Sequence, residues 1–161
     1  MKLFVALCFA LISSIALAES KVTLFVTLSP AGSFQAVSRK VKGDLVKKGD
    51  SFTADKISVS IESFKTGIDL RDEHTWKHLN STKHPKATLT DLKAAGGKAT
   101  AMLEVNGVKK PVDITYKTAN NEVQAKFTVK ASAFNLKKAE YLGVGVEDTI
   151  NVETTIPYTE K

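Results

Sequence analysis

Hydrophobic and polar positions alternate with a period of two along most of this chain. Between Lys56 and Ser63, Ile57, Val59 and Ile61 interleave with Ser58, Ser60 and Glu62, a pattern that gives a β-strand one dry face and one wet face. Seven further segments read as strands: Val22 to Leu28, Ser33 to Lys42, Lys86 to Ala94, Lys98 to Val105, Val108 to Thr118, Glu122 to Ala131 and Glu147 to Pro157. Gly96-Gly97, Asn106-Gly107 and Asn120-Asn121 fall between consecutive segments. These residues accept the positive φ angles of two-residue hairpins, so the four strands from Lys86 to Ala131 form a meander. An even set of antiparallel strands closes most economically into an up-and-down barrel, which leaves no free edge; a β-sandwich is the competing arrangement. The alternation is interrupted once, after Thr66-Gly67, where Leu70-Arg71-Asp72-Glu73-His74 begins a short polar helix between two strands.

Parity also sorts side chains by face. It points inward Ile57, Val59 and Ile61; Ala99, Ala101, Leu103 and Val105; Val112, Ile114 and Tyr116; Val123, Ala125, Phe127 and Val129; and Ile150, Val152 and Ile156. Alanines on adjacent strands leave volume that larger residues would fill, and an eight-stranded barrel is just wide enough to hold one small ligand. Two outcomes follow: a hollow apolar lumen, or one packed to ordinary interior density by large side chains such as Phe127 and Trp76. Trp76 is either a wall of that lumen or the apolar anchor of the helix.

The first 18 residues change the picture of where the protein works. Lys2, the apolar run from Leu3 to Leu17 and the small-residue site Ala16-Leu17-Ala18 have the form of an export signal cleaved after Ala18. The run is shorter than the roughly 20 apolar residues that span a bilayer. The expected mature chain, residues 19–161, is one domain. Cys8 lies inside the signal, so the domain has no thiol, disulfide or cysteine-held zinc. Its formal charge falls from +6 to +5 with the loss of Lys2. A basic exported protein suits transient contact with an anionic membrane surface. Nucleic acid is not expected, because the outward lysines are dispersed with no aromatic stacking platform among them.

Candidate chemistry concentrates on the helix. His74 and His78 are four residues apart and His84 follows, the raw material of a metal-assisted hydrolase. The stretch lacks the glutamate that follows the first histidine in a metalloprotease helix, so no metal site is expected. Arg71 and Asp72 form either a structural ion pair or, through Arg71, a contact to a phosphate or carboxylate. The chain has no hydrolase elbow, phosphate loop or dinucleotide fingerprint.

In order, Val41-Lys42-Gly43, Thr66-Gly67 with Arg71-Asp72 and His74, Pro85 with Ala87-Thr88, Asn106-Gly107-Val108-Lys109-Lys110-Pro111-Val112, and Ala133-Phe134 with Gly145-Val146-Glu147-Asp148 resemble the YceI-like family. The resemblance implies an all-β, eight-stranded antiparallel lipocalin-like barrel with a short helix inserted between strands. It implies a periplasmic protein that holds a polyisoprenoid, quinone or fatty-acyl lipid and catalyses nothing. The candidate tail-binding wall is Ile57, Val59, Ile61, Trp76, Ala101, Leu103, Ile114, Ala125 and Phe127, with Arg71 and His74 at the head group. No cofactor is expected beyond such a bound isoprenoid or quinone lipid.

Overall fold

The computed structural model describes residues 18–161. The expected export signal, apart from Ala18, lies outside the described residues. Twelve strands form one sheet: β1 (Lys21–Ser29), β2 (Ser33–Ser38), β3 (Val41–Lys42), β4 (Leu45–Lys48), β5 (Ser51–Thr53), β6 (Lys56–Ser60), β7 (Lys86–Ala95), β8 (Lys98–Val105), β9 (Val108–Ala119), β10 (Glu122–Lys130), β11 (Glu140–Tyr141) and β12 (Val144–Glu160). A helix, α1 (Asp69–His78), separates β6 from β7, and 3₁₀ turns occupy Ile61–Ser63 and Ala131–Phe134.

The sheet closes on itself. Its hydrogen-bonded ring runs β10-β9-β8-β7-β5-β4-β12, and β12 returns to β10 from Glu122↔Pro157 to Lys130↔Thr149. The ring therefore has seven strands where alternation suggested eight, and the difference has a local cause. Ser33 to Lys42, read as one strand, is interrupted at Arg39-Lys40: β2 pairs with β1, and β3 pairs with β6. Leu45–Lys48 and Ser51–Thr53 are too short to display a period, yet they complete the ring. One ring contact is also parallel, Tyr158 to Glu160 of β12 beside Leu45 to Lys47 of β4, so the barrel is antiparallel except at that seam. The meander β7 to β10 forms as its turns require, with positive φ at Gly96, Gly97, Asn106, Gly107, Asn120 and Asn121.

The two ends of the barrel differ. Where β4 and β5 complete the ring, Phe52 is buried and meets Tyr116 and Tyr158 edge-on, with ring centroids 5.5 and 5.1 Å away. Around them Leu45, Ala94, Ala99, Ile114, Val123 and Ile156 form the main apolar cluster. A second cluster of Val22, Ala36, Phe64 and Val152 joins β1, β2 and β12 to the turn before α1.

Gly43 permits the crossing between β3 and β4. Its φ is +124°, and a Cβ there would collide with the carbonyl oxygen of Lys56. Gly49 also has positive φ, +60°, but its Cβ would meet open space. Gly49→Ala should therefore cost only the left-handed backbone penalty, about 1 to 2 kcal/mol, whereas Gly43→Ala should cost distinctly more because backbone must move. Urea unfolding of the two variants measures the difference, and equal losses would show that the crossing adapts freely.

Candidate functional site

The barrel encloses a cavity of about 1080 Å³. Its size follows from the small residues on the ring. Ala94 lies opposite Ala99 across β7 and β8, and Ala125 of β10 lies between Tyr116 and Thr154; all five line the space. Phe52 and Tyr116 stand at the narrow end. The other end passes between α1 and the turn joining β11 to β12, where Ile68, Leu70, Tyr141, Leu142 and Val144 line the cavity while remaining exposed.

Seven of the nine residues of the expected tail-binding wall, Ile57, Val59, Ile61, Leu103, Ile114, Ala125 and Phe127, line this cavity, as do Arg71 and His74. Ala101 and Trp76 do not. Ala101 is buried, but it pairs with Val112 in the cluster that holds Phe134, and Phe134 reaches the cavity where the short alanine does not. Trp76 is taken up in fastening the helix: its indole N–H donates to the Phe64 carbonyl at 2.9 Å, and the Lys65 ammonium lies 4.6 Å from its ring centre. Leu45, Phe52 and the Tyr141 to Val144 segment belong to the wall but lay outside every alternating run. Phe52, a lone aromatic two residues after Asp50, was the one available signal.

The helix has no continuous apolar stripe, so directed polar contacts hold it over the opening. Asp72 is 2% exposed. It accepts the Thr66 amide at 2.6 Å and the Thr66 hydroxyl at 2.7 Å, and its other oxygen lies 3.3 Å from the Lys65 ammonium. The Thr66 hydroxyl, with the Thr66 amide and Lys65 behind it, keeps the Asp72 carboxyl below its ordinary pKa despite burial. Arg71 donates from Nη2 to the Thr66 carbonyl at 2.9 Å and lays its guanidinium 4.6 Å over the Phe34 ring. Its Nε is buried with no hydrogen-bond partner among the described residues.

The three histidines do not converge. His74 is exposed at the mouth, and His78 is partly buried on the cavity wall, where desolvation lowers its pKa. His84 presses on the turn at Gly107, whose added Cβ would come within 2.6 Å of its ring. Among the described residues no three His, Cys, Asp or Glu side chains are grouped so as to hold a metal ion. The arrangement encloses a mainly apolar space, with the charged or titratable side chains of Arg71, His74 and Lys77 at its opening.

A closed β-barrel around one apolar cavity, with a helix at its mouth, defines the lipocalin-like class. The chain belongs to the YceI-like family, whose domain matches residues 14–158. The fold is shared with a Burkholderia cenocepacia protein, BcnA, at 18% identity and a TM-score of 0.66, over 87% of this chain and 96% of that one. It is shared also with a polyisoprenoid binding domain from Saccharophagus degradans implicated in plant cell wall breakdown, at 14% identity and a TM-score of 0.60, over 86% and 93%. A mutant CJ YceI protein with a monobromobimane guest is similar at 17% identity and a TM-score of 0.56, over 77% and 83%. No curated protein matches this chain.

An aspartate whose native pKa is depressed stabilises the fold fully above its unfolded value near about 4, and that stabilisation is lost as pH falls through the lower native value. Asp72→Asn should thus be less stable than wild type at neutral pH by roughly 1 kcal/mol or more, the difference between a charged and a neutral hydrogen bond. The gap should shrink below about pH 4. Denaturant titrations across that range measure it, and a gap independent of pH would remove Asp72 as the ionised anchor of the helix.

Proposed function

We propose that this chain is an exported, periplasmic binding protein that holds a long apolar amphiphile, such as a polyisoprenoid, quinone or fatty-acyl lipid, for carriage or storage, and that it is not an enzyme. The observation that carries the reading is the cavity itself. At about 1080 Å³ it exceeds the roughly 300 to 1,000 Å³ of sites for drug-sized molecules, and its wall is almost wholly aliphatic and aromatic. Each methylene moved from water into such a space contributes about 0.8 kcal/mol. Ten of them give roughly 8 kcal/mol, from which the costs of association are subtracted, so a long tail is needed for firm binding. The structural neighbour described as a polyisoprenoid binding domain supports this ligand class. The apolar run from Leu3 to Leu17, ending in Ala16-Leu17-Ala18, supports export.

Arg71 supplies the head-group end of the proposal. A buried donor without an acceptor calls for an explanation, and the Arg71 Nε is such a donor on a residue that lines the mouth. A ligand phosphate oxygen entering there would satisfy it through a charge-assisted hydrogen bond.

Native mass spectrometry of the purified protein should show a co-purifying lipid or, after delipidation, uptake of an added isoprenoid. Ala125→Trp should remain folded, at a cost of about 1 to 3 kcal/mol in strain, and lose that uptake. A folded variant with undiminished uptake would place the ligand elsewhere, and a wild type that never takes up lipid would defeat the proposal.

For an isoprenyl phosphate, affinity should fall in the order wild type, Arg71→Lys, Arg71→Met, because lysine keeps the charge without the planar fork and methionine keeps only the apolar stem. The total loss should be about 1.5 to 3 kcal/mol, with the uncharged isoprenol little affected. Equal losses for phosphate and alcohol would leave Arg71 only its structural role beside Thr66 and Phe34.

A further inference from the structure

All five of the large hydrophobic side chains that stand exposed among the described residues sit at one place. Ile68 is 54% exposed, Leu70 61%, Tyr141 72%, Leu142 85% and Val144 41%, and each also lines the mouth of the cavity. They come from two segments far apart in sequence, the entry to α1 and the hairpin between β11 and β12. Solitary exposed apolar residues need no explanation, but a group of them around an opening marks a contact surface.

The hairpin tip makes the case sharper. Tyr141 pairs with Val144, leaving a two-residue turn in which Leu142 and Gly143 both have positive φ, 50° and 79°. Such turns favour asparagine, aspartate or glycine at the first position. The three other turns of this kind among the described residues obey the rule with Gly96, Asn106 and Asn120. Leu142 breaks it with a branched aliphatic residue in a strained conformation, almost fully in water. A residue that is costly to both backbone and solvent points to a role outside the fold.

We infer that this rim docks the mouth of the barrel on the surface of a lipid bilayer, with Leu142, Tyr141 and Leu70 entering the region below the head groups. A bilayer is chosen over a protein partner because the patch is continuous with the cavity wall, so that docking joins two apolar phases without a wet gap. Counting Arg71, which lines the mouth, cations slightly outnumber anions there: Lys137 and Lys138 precede the hairpin, Lys77 lies on α1, and these three lysines are exposed. Asp69, Glu73 and Glu140 oppose them, so attraction to anionic lipid is secondary to apolar insertion. Among the described residues no helix is long and apolar enough to cross a membrane, and surface docking needs none. The inference rests on the carrier reading for its purpose, but its measurement does not.

The test is flotation of the purified, processed protein with vesicles of phosphatidylcholine alone and of phosphatidylcholine mixed equally with phosphatidylglycerol, with no isoprenoid present. Both should bind the protein, the mixed vesicles a few-fold more tightly, and raised salt should remove that preference without abolishing binding. Leu142→Asn suits the turn and should keep or improve thermal stability while weakening binding about tenfold. Leu70→Gln should weaken it further. Failure of wild type to float with either vesicle, or undiminished flotation of the double variant, overturns the inference, even if lipid uptake by mass spectrometry succeeds. Sedimentation showing a wild-type dimer that Leu142→Asn converts to monomer, without vesicle binding, would assign the patch to a second copy of the chain and overturn it equally.

Discussion

Closure of the barrel rests on the length of one strand. β12 runs for 17 residues, roughly 55 Å at the rise of an extended chain, and no shorter strand could serve both ends of the molecule. One of its edges pairs with β10 from Thr149 to Pro157. Its other edge serves β1 from Gly145 to Thr155 and then passes to β4 from Tyr158 to Glu160. That handover lets the ring narrow at one end, where the short strands β4 and β5 bring Phe52 against Tyr116 and Tyr158. At the other end β1 with β2, and β6 with β3, hold the wall wider. The cavity is the space between these two gauges, kept open by alanines where the ring strands face one another.

The helix depends on this frame and contributes little of its own. Ile68 caps it without a side-chain hydrogen bond, and its sequence is too polar to pack by an apolar stripe. Its attachment is a small network: Thr66 to Asp72, Arg71 to Thr66 and Phe34, and Trp76 to Phe64. Because β6, the following turn and β2 fix those partners, the helix lies where the barrel needs a rim. The Thr-Gly and Arg-Asp pairs thus serve position first.

The meander was legible in the sequence because its strands are long enough to show their period and its turns carry glycine and asparagine. For the same reason Ile57, Leu103, Ile114 and Phe127 could be assigned inward before any coordinates. Parity fails where the chain is short or bent. β4 and β5 have four and three residues, two full periods at most, and the polar run Ser38-Arg39-Lys40 breaks the alternation within the segment read as one strand. Parity also assigns a face and not a depth: Ala101 faces inward as expected, yet its side chain is too short to reach free space beside Phe134. Trp76 could not be placed because its hydrogen-bond acceptor is a backbone carbonyl, and the identity of Phe64 says nothing of where that carbonyl points. The Tyr141 to Val144 hairpin is hard to read from sequence because its tip has the wrong residue for its turn.

For the carrier proposed above, the aromatic floor at Phe52, Tyr116 and Tyr158 has a kinetic consequence. A tube blocked at one end admits and discharges cargo through the same door, so whatever entered last must leave first. A tailed molecule loaded hydrocarbon first keeps its polar terminus at the threshold throughout its stay, ready to be gripped by whatever receives it. Traffic through such a vessel has no built-in direction; it runs downhill between donor and acceptor, and only their relative supply decides which way.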